Sequence, residues 1–144
     1  MISKTDLALV TFEPFPIGMG ATNRIITWTS GLCEETVTVS VYIVKPTENP
    51  NGVINKDYRG FYKKIYYEYV AGTTIWPKNI SKVKKLLILF NCYIKLCKIL
   101  YKVRPKTVVT YTSDIFTKFL LLLLKIFLGF KLIAEETEYP KIIP

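Results

Sequence analysis

The sequence predicts an α/β protein whose mostly parallel sheet is covered by helices on both faces. Two observations predict it. Short β-branched or apolar runs (LALVTF, TVTVSVYIV, KIYYEYV, TVVTY, KLIAE) are separated for the most part by stretches of helical periodicity. The first of these runs is continuously apolar, as a strand buried on both faces of a parallel sheet should be.

Leu7–Phe12 is the first strand. Glu13–Gly20 follows as a loop, because two prolines and two glycines forbid a regular element there. Ala21–Gly31 reads as a helix with Ile25, Ile26, Trp28 and Leu32 toward its packing side. Thr36–Val44 is a β-branched, alternating strand. Lys45–Gly60 is polar, carries Pro, Asn and Gly, and has no apolar periodicity, so it reads as a loop. Lys64–Val70 is the third strand.

Ser81 is placed to cap a helix running to Val103. On it Lys84, Asn91, Lys95, Lys98 and Lys102 recur at spacings of seven, four, three and four, which keeps one face wet. Leu86, Leu87, Phe90, Ile94, Leu100 and Val103 are then expected to pack inward, and Arg104-Pro105 ends the helix. Thr107–Tyr111 is the fourth strand. Thr112-Ser113-Asp114 turns into a helix from Ile115 to about Leu128, Gly129 closes it, and Lys131–Glu135 is the fifth strand. Alternation of this kind describes a Rossmann-like half.

Composition narrows the chemistry. The 144 residues include 50% apolar side chains, 8 Phe and 10 Tyr, which excludes a disordered chain and suits one domain. The absence of His and of any CxxC pair removes the usual zinc sites and the Ser-His or Cys-His nucleophiles, so no metal is expected. Three unevenly spaced cysteines, Cys33, Cys92 and Cys97, fit a reducing cytoplasm better than a disulfide scaffold. The amino terminus lacks the apolar region of a signal peptide. Ile115–Ala134 has the length of a membrane span, but Lys118, Lys125 and Lys131 interrupt it, so a buried helix and a buried strand are expected instead.

Charge is uneven. Residues 1–60 carry 5 basic and 6 acidic side chains, whereas residues 61–144 carry 15 and 5. Nothing acidic lies between Glu68 and Asp114. The lysine face of Lys84, Lys95, Lys98 and Lys102 therefore suits an anionic membrane surface, or is a solvated helix face. Nucleic acid is not expected as a partner, since the clustered tyrosines fall in or before a strand where core packing explains several of them.

In open α/β sheets ligands bind beyond the carboxyl ends of the strands. Three segments should converge there: Glu13–Arg24, Thr112–Asp114 and Glu135–Pro140. Gly18 and Gly20 open a helix whose free N–H groups suit an oxyanion, with Asn23 and Arg24 in its first turn. The alternative is a turn that only caps the helix. A dinucleotide fingerprint would need glycine at Asn23 and an acid where Lys45 stands, so an NAD site is not expected. Asp114 is either an N-cap or a catalytic candidate. Glu135, Glu136 and Glu138 are either acceptor-orienting carboxylates or a solvated exit loop.

The segments PFPIGMGATNRI and VVTYTSDIFTKFLLLLLKIFLGFKLIAEETEYP resemble bacterial glycosyltransferases of the GT-B fold, particularly glycosyltransferase family 4 (group 1). The resemblance covers the whole chain in element order. It implies the incomplete amino-terminal, acceptor-side half of a two-domain enzyme, with the donor-binding domain outside residues 1–144 and the chain inactive alone. It implies metal-independent transfer from a nucleotide-sugar to a hydroxyl of a cell-envelope or lipid-linked glycan, with no cofactor beyond that co-substrate. By position, Gly18 and Gly20 would face the donor diphosphate, with Asn23 and Arg24 close by, or the four would form an acceptor-binding loop. Thr112, Ser113, Asp114, Glu136, Glu138 and Tyr139 would line the acceptor side, Asp114 and Glu138 being the candidates for catalysis. The family's cleft often presents a histidine, and this chain has none. The expected location is cytoplasmic, peripheral on the inner membrane face. The alternative is a non-catalytic binding or membrane-recruiting subunit that partners a separate donor-binding chain.

Overall fold

The structure, a computed structural model, describes residues 5–135. Glu136, Glu138 and Tyr139 lie outside the described residues. The chain forms β1 (Leu7–Thr11), α1 (Gly20–Glu34), β2 (Val39–Ile43), β3 (Arg59–Tyr62), β4 (Ile65–Tyr69), α2 (Lys82–Val103), β5 (Thr107–Tyr111), α3 (Ile115–Leu128) and β6 (Lys131–Ala134). They make an α/β fold with one six-stranded sheet in the order β3-β4-β2-β1-β5-β6, parallel except for the β3–β4 pair.

The apolar runs behave as expected of central parallel strands: β1 and β2 are buried at every position. Alternate residues enter two cores. Leu7 and Leu9 join Ile25 of α1 on one face, while Ala8 and Val10 join Cys92, Leu96 and Leu100 of α2 and Leu121 of α3 on the other. Helices thus cover both faces, α1 alone on one and α2 with α3 on the other. Ser81 caps α2 by accepting from the Lys84 N–H at 3.3 Å, and Gly129 ends α3 at φ +73°.

Four expectations are corrected. α1 runs past Gly31 to Glu34, because one helical glycine costs only about 1 kcal/mol. Thr36 has φ +65° and stands in the turn, so the second strand starts at Val39. The supposed loop up to Gly60 ends in an antiparallel edge strand, β3. Its hairpin turn, Lys63-Lys64, has φ of +46° and +68°, the geometry that usually selects Asn-Gly. Replacing the pair with Asn-Gly is expected to raise stability by about 1–2 kcal/mol, read as a higher urea midpoint, because lysine pays a steric cost in the left-handed region.

The fourth correction concerns packing. α2 turns Cys92, Tyr93, Leu96, Leu100 and Val103 inward, while Leu86, Leu87, Phe90 and Ile94 are exposed. Trp28 of α1 is also exposed, at 38%. In α3, expected to be buried, only Thr117 and Leu121 are buried among its residues. No helix among the described residues is long and apolar enough to cross a membrane.

Candidate functional site

β1 and β5 are neighbours, but their connections leave in opposite directions: β1 leads through α1 to β2, and β5 through α3 to β6. The loops after them must diverge, which opens a crevice at their carboxyl ends. Thr11 pairs with Tyr111 across this point, and its hydroxyl donates to the Tyr111 carbonyl at 3.1 Å. Two of the three expected segments, 13–24 and 112–114, therefore start side by side. Of the third, only Glu135 is described, its N–H donating to the Thr110 carbonyl at 3.0 Å.

The loop after β1 is anchored at three successive places. The Thr22 hydroxyl donates to the Pro14 carbonyl at 2.7 Å. The Tyr69 hydroxyl accepts from the Phe15 N–H and donates to the Phe15 carbonyl, both at 3.1 Å. The Asn55 amide accepts from the Ile17 N–H at 2.9 Å and donates to the Ile17 carbonyl at 2.8 Å. Phe15 itself is fully buried, against the rings of Tyr62 and Tyr67.

Asn55 is held in turn by Glu48, whose carboxylate accepts from the Ile54 N–H, the Asn55 N–H and the Asn55 side-chain amide at 2.7, 3.0 and 2.6 Å. Glu48 is 8% exposed and Asn55 4%. Burial pushes the Glu48 pKa up, but these three donors outweigh it and hold the group below its ordinary value. The Glu48 backbone is tied to Thr74 and Trp76, so the loops after β1, β2 and β4 form one connected structure. Sequence reasoning missed Glu48, Asn55 and Tyr69. Glu48 and Asn55 lie in a polar stretch without periodicity and Tyr69 ends a strand, so none of the three carries a local signal before the loops meet.

Gly18 is required by close approach: a Cβ there would collide with the Thr22 side chain and with Pro14. Gly20, the first residue of α1, has open space where a Cβ would stand. Met19, the residue before it, makes no side-chain capping bond. Asn23 and Arg24 are exposed in the first turn. Gly18 and Gly20, between the end of β1 and the start of α1, thus stand at one rim of the crevice, and Asn23 and Arg24 follow on the exposed side of α1.

On the other rim Thr112 accepts from the Asp114 N–H at 3.1 Å, and Ser113 is exposed. One Asp114 oxygen, Oδ2, accepts from the Thr117 N–H, the Thr117 hydroxyl and the Tyr93 hydroxyl at 2.7, 2.6 and 3.0 Å. Burial raises the Asp114 pKa. The bonds from Thr117 and Tyr93 and the charge of Lys45 more than reverse this, so it stays below the ordinary carboxylate value. That is the state of a helix cap, and it is opposite to what a base poised near neutrality needs. Lys45, just after β2, holds its ammonium 4.7 Å from the centre of the Phe12 ring, and its charge acts on Asp114.

Asp6, at the opposite end of the sheet, is also held far below its ordinary value, by hydrogen bonds from Lys106 and Thr38. Each of these carboxylates has a folded pKa below its unfolded one. Their stabilisation is therefore complete above about pH 4 and lost as pH falls through the folded values. Urea midpoints are expected to fall steadily below about pH 4, with a smaller fall in Asp114→Asn.

Beyond β2 and β4 an open groove of about 650 Å³ is lined by Asn49, Asn51, Trp76, Lys78, Asn79 and Lys85. The Lys85 ammonium lies 5.5 Å from the Trp76 ring centre. Lys84, Lys95, Lys98 and Lys102 are all exposed along α2. Among the described residues no group of three or more His, Cys, Asp or Glu side chains comes together to hold a metal ion. Compared with known proteins, the chain matches no family model, no curated protein and no solved structure.

Proposed function

We propose that this chain is the acceptor-side domain of a GT-B glycosyltransferase resembling family 4, moving a sugar from a nucleotide-sugar to a hydroxyl of a cell-envelope or lipid-linked glycan. The observation that carries the reading is the anchored loop after β1. Tyr69 and Asn55 bind its backbone at Phe15 and Ile17, so that Gly18 and Gly20 stand at the mouth of the crevice. The strand order β4-β2-β1-β5-β6, with the β3 edge set aside, is that of a Rossmann-like half and supports it.

In this reading the uncapped N–H groups of Gly20 and Ala21, with Arg24 and Lys45, receive the donor diphosphate. The sugar acceptor lies along the groove, where the Trp76 ring offers an apolar platform to sugar C–H groups and the Asn49, Asn51 and Asn79 amides suit its hydroxyls. Asp114 orients α3 and shapes the acceptor rim. Because its carboxylate is committed to the cap, the described residues bind and orient, which also suits the second reading of a non-catalytic binding subunit.

The test is an amide-shift NMR titration with uridine, guanosine and adenosine diphosphate sugars. At least one should move the Gly20, Ala21 and Arg24 amides. Gly20→Ala is expected to weaken that binding about tenfold, roughly 1.4 kcal/mol, without unfolding the protein, because its Cβ meets nothing in the fold. Gly18→Ala should instead disturb the loop itself. Residues 18–24 unmoved by every sugar nucleotide would overturn the reading.

A further inference from the structure

The largest feature outside the crevice is the outer surface of α2 and α3. On α3, Ile115, Phe119, Leu122 and Ile126 are each at least half exposed, with Ile115 at 82%. Phe116, Leu123 and Phe127 are also exposed and follow one another at spacings of seven and four along a single flank of the helix. Phe116 meets Tyr93 of α2, ring centres 4.8 Å apart, so this flank is the one turned toward α2. On α2 the residues three and seven positions before Tyr93 are Phe90 and Leu86, both exposed. They share the flank that faces α3. The exposed apolar side chains of the two helices therefore adjoin in one continuous surface, well beyond the scattered apolar exposure of an ordinary soluble face.

Charge borders this surface on both outer sides. Lys95 and Lys102 lie two and nine residues after Tyr93, which puts them on the opposite flank of α2, in line with Lys84 and Lys98. On α3, Lys118 and Lys125 are two and nine residues after Phe116, again on the flank turned away from the other helix. Neither helix contains a single Asp or Glu. An apolar strip between two lysine rims, with no acidic residue in either helix, is complementary to a bilayer with anionic headgroups. A protein partner covering the same surface would have no need of one-signed rims. The 14 residues of α3 extend about 21 Å, short of the roughly 30 Å hydrocarbon thickness, so the helix lies in the interface instead of crossing it.

We infer that α2 and α3 together form a monotopic membrane-docking surface, in which Phe119, Leu122 and Ile126 enter the acyl boundary of an anionic leaflet. Lys84, Lys95, Lys98 and Lys102 on one side, with Lys118 and Lys125 on the other, meet the headgroups. This surface rests on the exposed side chains of α2 and α3 and stands whether or not the crevice binds a sugar nucleotide.

The test is co-sedimentation of the full chain with vesicles of phosphatidylcholine alone and of a roughly 3:1 mixture with phosphatidylglycerol. Partitioning onto the anionic vesicles is expected to be at least about tenfold stronger and to weaken as NaCl rises from about 0.1 to about 0.5 M. Phe119→Glu with Ile126→Glu should lower binding to both vesicles about tenfold or more. Lys95→Glu with Lys98→Glu should lower anionic binding to near the neutral level. All four positions are exposed, so circular dichroism of these variants should match the parent. As a second readout, the fluorescence that Phe119→Trp adds to that of Trp28 and Trp76 should be quenched by lipids brominated in their acyl chains. The inference is overturned if the parent binds neither vesicle, or if the double glutamate variant binds unchanged. It is also overturned if sedimentation velocity shows a dimer that this variant dissociates while the parent ignores vesicles.

Discussion

Glu48→Ala is expected to destabilise the protein by about 3 kcal/mol and to release the loop after β1. The substitution removes one carboxylate but strands three donors, the Ile54 and Asn55 N–H groups and the Asn55 amide, in a place water hardly reaches. An unsatisfied buried donor costs about 1–3 kcal/mol, and bonds to a charged acceptor are the stronger kind. Asn55 would then no longer be fixed against Ile17, so the effect reaches the crevice. Urea unfolding gives the loss of stability, and hydrogen exchange at the Ile17 amide gives the release of the loop. Glu48→Gln should lose less, because its carbonyl oxygen still accepts. If Glu48→Ala left both measurements unchanged, the network would not be what holds the loop.

Leu96→Ala is expected to cost 2–5 kcal/mol, while Leu87→Ala, nine residues earlier on the same helix, should stay within about 0.5 kcal/mol. Leu96 is fully buried between α2 and the sheet, so truncation leaves a cavity in the core it shares with Ala8, Val10, Leu100 and Leu121. Leu87 is 62% exposed and loses little in water. Equal effects at the two positions would mean that α2 turns a different face to the sheet. The comparison is also a direct check on which of the two apolar stripes of α2 serves the core.

Much of this was legible in advance. β1, β2 and β5 are buried strands whose β-branched and apolar residues have few alternatives. Ser81, Asp114 and Gly129 mark helix ends through chemistry local to a few residues. The lysine stripe of α2 was wet, as its spacing required. The β3 strand was not legible, because an edge strand with the burial pattern of Arg59–Tyr62 has no apolar periodicity and its turn uses Lys-Lys where Asn-Gly is usual. Nor was the site's support. Glu48, Asn55 and Tyr69 are far from Ile17 and Phe15 in the chain, and nothing in their neighbours announces the bonds they make. Asp114 was legible as a cap, and the Tyr93 hydroxyl and Lys45 that complete its surroundings were not.

Local pattern alone decided the α/β class, the parallel character of the inner strands, the caps of α2 and α3 and the one-signed charge of the second half. Those properties follow from periodicity, capping and composition within windows of a few residues. Tertiary structure decided the rest: the antiparallel edge, which stripe of α2 meets the sheet, the exposure of α3 and the anchoring of the glycine loop. Each depends on a partner distant in sequence. A hydrophobic stripe is the same stripe whether it faces a sheet or a bilayer, and only the placement of its neighbours determines which.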